Sequence, residues 1–218
     1  VSEPLADALA RNGVNECKID VSPNGVATER FPRSHRDRAR FVVGFAGSLK
    51  PWHGLDTLVD AMAEVPDAHL EVVGHGPLAH LLDAIPADRV TRLGARPHSE
   101  VIGLMAGWDI GVAPYAPIEH FWFSPLKVLE YMAAGACPVV SDLGDAPQVL
   151  GYGRRGVLVP AGDAAALAAE IRALAQNRTR ATRLGDLARG WVSAERSWSA
   201  NARRALAAIE CEPVREAA

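Results

Sequence analysis

The order of hydrophobic and polar positions changes from irregular to regular at about residue 41. From there, short unbroken apolar runs that end in glycine or proline alternate with segments whose apolar residues recur every three or four positions. Unbroken runs are typical of strands buried on both faces, and the longer spacing is typical of amphipathic helices. The predicted strands are "FVVGFAG", "HLEVVGHGP", "RVTRLGARP", "DIGVAPY", "CPVVSD" and "GVLVP".

Helical segments are predicted between these strands and after the last one. Ser99 and Ser124 are expected to be N-caps, and Pro125 to be the first helical residue of its segment. Strands and helices that alternate through short connections predict a doubly wound, Rossmann-like α/β fold. Its parallel sheet should have about six strands and helices on both faces. The predicted helices are "GLDTLVDAMAEV", "PLAHLLDAI", "SEVIGLMAGW", "SPLKVLEYMAAG", "DAAALAAEIRALAQN", "TRATRLGDLARGWV" and "SWSANARRALAAIE".

The first 40 residues follow no such alternation. Residues 1–12 are predicted to be helical, and "CKIDVSPNGV" to be a short strand that ends in a turn. The basic run "ERFPRSHRDRAR" is typical of a solvated linker rather than of a nucleic-acid site. Because the chain lacks an initiator Met, it is expected to be a fragment of a longer protein or an engineered chain.

Composition excludes several classes of protein. The net charge of −3 over 218 residues gives no general attraction to nucleic acid. No apolar run approaches the roughly 18 residues that a membrane-spanning helix requires, and no signal peptide pattern begins the chain. The three cysteines lack metal-binding spacing. Cys137 lies in an apolar run and is expected to be a buried thiol in a reducing compartment.

In a doubly wound sheet, ligands bind beyond the carboxyl ends of the strands. The loops at those ends are expected to be 47–54, 74–77, 94–98, 114–125 and 141–147. The first contains "GSLKPWHGLD", in which Gly47 allows a tight turn and Lys50 and His53 project. It matches neither a phosphate-binding loop nor the glycine pattern of dinucleotide-binding proteins, so a dehydrogenase is not predicted.

The helix that starts near Ser124 carries the most informative polar positions. A helix start offers unpaired N–H groups and a partial positive charge, which suit an anion. Beyond it, Lys127 and Glu130 form a narrow polar stripe beside a broad apolar arc. They are about one turn, roughly 5 Å, apart. That separation suits a cation on a phosphate and a carboxylate on ribose hydroxyls, but also a simple local ion pair.

Five segments resemble a known family. Four of them follow one another in the chain as "VGFAGSLKPWHGLDTLVDA", "LEVVGHGPL", "RLGARPHSEVIGLMAGWDIGVAPY" and "SPLKVLEYMAAGACPVVSDLGDAPQVL", and the last, "KIDVSPNGVATERF", precedes them. The first four are similar to the C-terminal half of retaining glycosyltransferases of the two-Rossmann-domain class (family four, glycosyl transferases group 1). The last is similar to the segment that closes the N-terminal domain of that class. The resemblance implies a tail and linker over 1–40, a donor-binding domain over 41–192, and over 193–218 a helix that returns to the N-terminal domain.

The resemblance also implies roles for single residues. Glu130 matches the glutamate that holds the ribose, and Arg96 matches a position whose backbone meets the base. The family's other motif glutamate falls on Trp122, and its diphosphate-binding arginine and lysine fall near Ser48 and His53. The expected nucleotide-sugar-binding residues are Gly47, Ser48, Lys50, His53, Arg96, Ser124, Pro125, Leu126, Lys127 and Glu130.

The implied parent is a hexosyl-type transferase that moves a sugar from a uridine or guanosine diphosphate sugar with retention of configuration. No metal or other cofactor is expected, and no catalytic side chain is identified, because the acceptor and several groups that face the sugar belong to the N-terminal domain. This chain alone is therefore expected to bind nucleotide without transferring sugar. Its exposed interdomain face is expected to favour self-association, and the full-length protein is expected in the cytoplasm, with attachment to the inner membrane face left open.

Two alternatives remain open from the residues. A nucleotide-sugar epimerase of the same fold would need histidines and carboxylates that converge on the sugar, and His75, His98 and His120 lie in relevant loops. A non-catalytic module that descends from a transferase is the other alternative, since Trp122 stands where the family has glutamate.

Overall fold

The computed structural model describes residues 3–19, 21–32, 34–35, 39–118 and 124–210, the last three by their backbone. Short 3-10 turns cover Glu16–Lys18, Thr28–Arg30, Pro51–His53 and Ala79–Ala84. The strands are β1 (Phe41–Ala46), β2 (Ala68–Val73), β3 (Val90–Gly94), β4 (Ile110–Ala113), β5 (Cys137–Ser141) and β6 (Val157–Val159). The α-helices are α1 (Glu3–Arg11), α2 (Leu55–Ala63), α3 (His98–Met105), α4 (Leu126–Ala134), α5 (Ala146–Val149), α6 (Ala164–Gln176), α7 (Arg178–Glu195) and α8 (Trp198–Glu210).

All six strands form one parallel sheet in the order β3-β2-β1-β4-β5-β6. This confirms the predicted doubly wound, Rossmann-like architecture. The chain builds outward from β1 to β3 and then returns to place β4 on the other side of β1, where Val43 pairs with Ile110. The connections leaving the carboxyl ends of β1 and β4 therefore diverge to opposite faces, which opens a crevice at that edge.

Helices cover both faces of the sheet, and each face has its own apolar core. Leu58 of α2 and Leu167 of α6 pack on one face with Phe45. On the other face, Trp108 and Tyr131 pack with residues of α3, α4 and α7. Every residue of β1 and β4 is buried, as their unbroken apolar runs predicted. Cys137 is fully buried, as expected.

Two predicted elements are wrong in type. The described residues of "CKIDVSPNGV" form no strand: Glu16–Lys18 form a 3-10 turn, and Val26 makes only an isolated bridge to Ser197. The Asn15 side chain accepts the Cys17 N–H at 3.0 Å and so stabilises the turn locally. The predicted helix after β2 is the 3-10 segment Ala79–Ala84, whose following residues leave the helical conformation before a proline.

Neither predicted serine N-cap is correct. Helix α3 begins at His98 with Pro97 at the N-cap, so that Ser99 already lies inside the first turn. Helix α4 begins at Leu126, and Pro125 occupies the N-cap position rather than the first helical position. In both cases a proline at the boundary sets where the helix begins, because the residue before it is restricted to extended conformations.

The N-terminal segment packs against the end of the chain. The Asn201 side-chain amide of α8 donates to the Pro23 carbonyl at 2.6 Å, and the Val26–Ser197 bridge lies beside it. The predicted domain division at 40 and 193 stays a prediction. Among the described helices, none combines the length and apolar character needed to cross a membrane. The described residues also contain no group of three metal-ligating side chains.

Candidate functional site

The loops that follow β1 and β4 meet the start of α4 at the carboxyl edge of the sheet. Tyr131 of α4 fixes this meeting point, because its buried hydroxyl accepts the Ala46 N–H at 3.0 Å. The Ser141 hydroxyl donates to the Tyr115 carbonyl at 2.9 Å and holds the loop after β4 against β5. The walls of the crevice are thus tied to the sheet by side chains that local sequence patterns did not indicate.

Lys127 lies in the wall of this crevice. Its Nζ is buried and has no hydrogen-bond partner among the described residues. It lies 4.6 Å from the ring centre of Phe45 and 5.3 Å from that of Tyr115. A Cβ atom at Gly47, whose φ is +149°, would lie only 2.8 Å from Nζ. Glycine at this position therefore leaves the room that the ammonium group occupies.

Burial strongly changes the acidity of this group. Desolvation lowers the pKa of Lys127 from 10.5 to about 7, and the charge of nearby Glu130 opposes the shift. A cation held in an apolar wall without a hydrogen-bonding partner is unfavourable, and an anion that binds there would relieve that cost. The arrangement is therefore that of an anion site, and the ring faces contribute only weak cation–π attraction.

His53 does not add a second cation. Burial lowers its pKa from 6.5, and the charges of Lys127 and Lys50 lower it further. Its Nδ1 is hydrogen-bonded to the Ser48 carbonyl, and its ring packs against that of Phe45 with centres 6.3 Å apart. His53 is therefore neutral at pH 7 and shapes the loop around the crevice.

Lys50 occupies the rim of the crevice. Its side chain is exposed, and its Nζ lies 4.9 Å from the ring centre of Trp52. The structure thus separates the two lysines that were predicted together: one is in the crevice wall and the other faces solvent.

Glu130 is oriented by a residue from another helix. Its side chain is 22% exposed, and Oε1 lies 2.7 Å from Nε2 of His98, the first residue of α3. No ion pair joins Glu130 to Lys127 among the described residues, so the alternative of a simple local pair is not what the fold adopts. The cation and the carboxylate remain separate groups on one stripe of α4.

The start of α4 offers fewer free donors than its position suggested. The Leu126 N–H donates to the Ser124 carbonyl at 2.8 Å, and the Val128 N–H donates to the Pro125 carbonyl at 2.9 Å. Pro125 is buried, whereas Leu126 is 45% exposed and does not join the apolar arc. The side chain of Lys127, more than a row of helix-start amides, supplies the positive charge here.

The Arg96 side chain lies outside the crevice. Its Nε donates to the Leu93 carbonyl at 2.9 Å, and a guanidinium nitrogen lies 3.8 Å from Glu100. Arg96 lines an open groove of about 870 Å³ beside α3. A second groove, of about 860 Å³, is lined by several arginines, among them Arg180. Neither groove is lined by Lys127 or Glu130, so only the Arg96 backbone stays available to the candidate site.

Three residues that shape the site were not predicted from the sequence to do so. His98 was considered from the sequence only as one of the histidines that an epimerase would need, and its partner is 32 positions away, so no local spacing could reveal the contact. Tyr115 and Tyr131 gave no signal beyond apolar character. Trp122 and His120 lie outside the described residues.

Comparison with known proteins gives a consistent picture. Residues 40–177 match the family described as "Glycosyl transferases group 1". The chain is 29% identical over 207 residues to the GDP-mannose-dependent alpha-(1-6)-phosphatidylinositol monomannoside mannosyltransferase of Mycobacterium tuberculosis, covering 83% of this chain and 52% of that protein. It is 32% identical over 173 residues to the phosphatidyl-myo-inositol mannosyltransferase of Mycobacterium leprae, covering 76% and 43%. The chain therefore spans about half the length of the curated relatives it matches.

Solved structures share the fold. Sucrose-phosphate synthase from Thermosynechococcus elongatus superposes with a TM-score of 0.81 at 27% identity, covering 96% of this chain and 57% of that one. The Anabaena protein HepE, solved in complex with UDP and glucose, gives a TM-score of 0.81 at 21% identity, covering 97% and 62%. At this identity the second likeness concerns the fold alone.

Proposed function

Because the chain belongs to the group 1 glycosyl transferases, we propose that it is the region of such an enzyme that binds the nucleotide-sugar donor. The single observation that carries this proposal is the buried Lys127 ammonium group, which has no hydrogen-bond partner among the described residues and lies beside Gly47. A diphosphate in the crevice would give that cation the partner it lacks in the protein.

Glu130 would hold the ribose of the same nucleotide. A carboxylate accepts hydrogen bonds from two neighbouring hydroxyls, and Glu130 lies one helical turn from the cation with part of its side chain exposed. In this arrangement the Gly47–Ser48 backbone borders the diphosphate, Lys50 closes the rim, and the Arg96 backbone lies beyond β3 toward the base.

The chemistry that follows is the departure of a nucleoside diphosphate. When the bond between the sugar carbon C1 and the phosphate oxygen breaks, negative charge grows on the leaving diphosphate. A cation already placed in a water-poor wall stabilises that charge without reorganisation. We propose that Lys127 has this role without a metal ion, and that the transferred group is a hexose moved with retention of configuration.

Transfer itself should require more chain than is present here. The matched regions cover 52% and 43% of two relatives, and the described residues bring together no nucleophile and general base beside the crevice. The acceptor and the groups that face the donor sugar would then belong to the rest of the parent protein. The chain alone is proposed to bind nucleotide and not to turn it over.

Calorimetric titration tests this proposal directly. Uridine and guanosine diphosphates are titrated into the wild-type chain, Lys127→Met, Glu130→Gln and, as a matched control, Lys18→Met, which removes an exposed lysine. Wild type and the control should bind one of the two nucleotides, whereas both site variants should bind it at least tenfold more weakly. Absence of binding to either nucleotide by the folded wild-type chain would contradict the proposal.

A second assay separates transfer from epimerisation. The full-length parent is incubated with the donor sugar nucleotide, with and without acceptor, and products are resolved by chromatography. Sugar transfer that depends on acceptor supports the transferase, and epimerisation without acceptor contradicts it.

A further inference from the structure

We propose that His98 is a positioning residue, which holds the Glu130 carboxylate toward the ribose and away from Lys127. This inference rests on the proposed function, because it concerns how that donor site keeps its two recognition groups available. The relevant juxtaposition is a contact between the first residue of α3 and the middle of α4.

The contact has the geometry of a strong hydrogen bond. His98 Nε2 lies 2.7 Å from Glu130 Oε1, within the range of bonds assisted by charge. The imidazole donates its N–H and the carboxylate accepts it. The glutamate side chain is 22% exposed and the histidine 51%, so the carboxylate is the less solvent-exposed partner and still reaches the surface. Oε2 is left for a hydroxyl of the ligand.

Without this contact, Glu130 has a competing partner. Lys127 lies three positions earlier on the same helix, a spacing at which oppositely charged side chains meet. Its ammonium group has no hydrogen-bond partner among the described residues and already feels the glutamate charge. A freely rotating Glu130 would pair with it, which would occupy the cation meant for the diphosphate and the carboxylate meant for the ribose.

His98 therefore keeps two mutually attractive groups apart. Such a role predicts a specific pattern of losses, because every effect of removing the histidine should depend on the Glu130 carboxylate, through the ribose hydroxyls and through its competition for Lys127. A direct contact between His98 and the nucleotide would instead act independently of Glu130. A surface pair with no positioning role would affect neither binding nor the titration of Lys127.

The experiment compares ligands with and without ribose hydroxyls. Affinities for uridine and guanosine diphosphates, and for their 2′,3′-dideoxy analogues, are measured for wild type, His98→Ala, His98→Gln, Glu130→Gln and the double variant His98→Ala/Glu130→Gln. His80→Ala is the control, since His80 is an exposed histidine bonded to the Pro77 carbonyl. His98→Ala should lower the ribonucleotide affinity about threefold to tenfold and that of the dideoxy analogue by a smaller factor, because Glu130 then competes with both diphosphates for Lys127 but contacts ribose hydroxyls only in the first ligand.

The other variants identify the route of the effect. His98→Gln should recover most of the affinity, because its amide N–H also donates to a carboxylate. The double variant should bind no more weakly than Glu130→Gln alone. Additive losses, equal losses for both ligands, or an unchanged ribonucleotide affinity in His98→Ala would each overturn the inference.

A measurement without ligand separates failure of the inference from failure of the proposed function. The titration of Lys127 is followed by NMR in wild type and His98→Ala, with carbon-13 in the lysine side chain. The lysine pKa should rise in His98→Ala as Glu130 turns toward it, and an unchanged value would overturn the inference. If the wild-type chain binds no nucleotide while the lysine pKa still rises, the proposed function fails and the positioning contact stands.

Discussion

Lys127 shows how one residue can oppose stability and serve binding. Its amine is packed against two aromatic rings without a hydrogen-bond partner among the described residues. Nothing in the local sequence distinguishes it from a surface lysine on an amphipathic helix. Its unusual environment arises because Gly47, 80 positions away, lacks a side chain at the point where the ammonium group lies.

Replacement of Lys127 should therefore stabilise the protein and abolish its proposed function. Lys127→Met keeps the length of the side chain and removes a buried polar group, so the free energy of unfolding at pH 7 should rise by about 1–3 kcal/mol. Denaturant unfolding measures this, and Lys18→Met, at an exposed site, should stay within about 0.5 kcal/mol of wild type. A destabilised Lys127→Met that still binds nucleotide would contradict the assignment.

The same residue should make stability depend on pH. Below pH 7, Lys127 is protonated in both the folded and the unfolded chain, and above its ordinary pKa of 10.5 it is neutral in both. Between these values the unfolded chain binds the additional proton, so the free energy of unfolding should rise with pH. Unfolding measured from pH 7 to 9 should show this rise in wild type relative to Lys127→Met; parallel curves would argue against a lowered lysine pKa.

Nucleotide binding should in turn take up protons. A diphosphate beside Lys127 favours the charged amine and raises its pKa, so at pH 8 to 9 binding should be accompanied by uptake of up to one proton. Calorimetry in buffers of different ionisation enthalpy measures this number. Wild type should show the uptake, and any residual binding by Lys127→Met should show none.

At the scale of elements, α4 joins the sheet to the site. The hydroxyl of Tyr131, on α4, accepts a hydrogen bond from the N–H of Ala46, which is the last residue of β1 and precedes Gly47. The turn that carries Gly47 is therefore held by the same helix that carries Lys127 and Glu130. A displacement of α4 would move both sides of the crevice together.

This link predicts the effect of removing one hydroxyl. Tyr131→Phe leaves the buried Ala46 N–H without its acceptor, which should lower the free energy of unfolding by about 1–3 kcal/mol. Nucleotide affinity should fall as well, because the Gly47 turn loses its tether. Tyr152→Phe is the control, since Tyr152 is 74% exposed, and it should change neither quantity. Equal stability of Tyr131→Phe and wild type would show that the hydrogen bond contributes nothing.

Across the whole molecule, the exposed apolar side chains of the described residues are scattered, and three of them lie in or near segments that border the edge that carries the site. Trp52 follows β1 and Leu126 begins α4, and they are 39% and 45% exposed. Trp198, at 56%, begins α8 close to Arg196, whose charge interacts with Asp145 after β5. An edge of this kind suits contact with another domain or another copy of the chain.

Self-association through this edge is the expected consequence for the isolated chain. Sedimentation velocity over a range of concentrations should show reversible association in wild type, reduced by Trp198→Glu. Tyr152→Glu places the same charge at an exposed aromatic position that precedes β6 and should leave association unchanged. A monomer at every concentration would refute this expectation.

Prediction from sequence succeeded where the physics is local. The apolar runs of β1 and β4 and the helical spacing of α2 and α4 led to the correct sheet, whereas the binding site predicted from the glycines and polar residues after the strands stays a prediction. It failed at Ser99 and Ser124, where prolines decide the helix boundaries, and in the segment "CKIDVSPNGV", where the Asn15 side chain stabilises a turn. It also missed His98, whose role exists only across two helices.

The sequence by itself determined the alternation of strands and helices, and with it a doubly wound sheet whose carboxyl edge is open to a ligand. It could do so because side-chain periodicity and backbone preference act over a few neighbouring residues. Only the tertiary structure decided that Lys127 is buried beside Gly47 and that Glu130 pairs with His98 rather than with Lys127. Those choices depend on desolvation and on competition between partners, which arise only when distant segments are brought into contact.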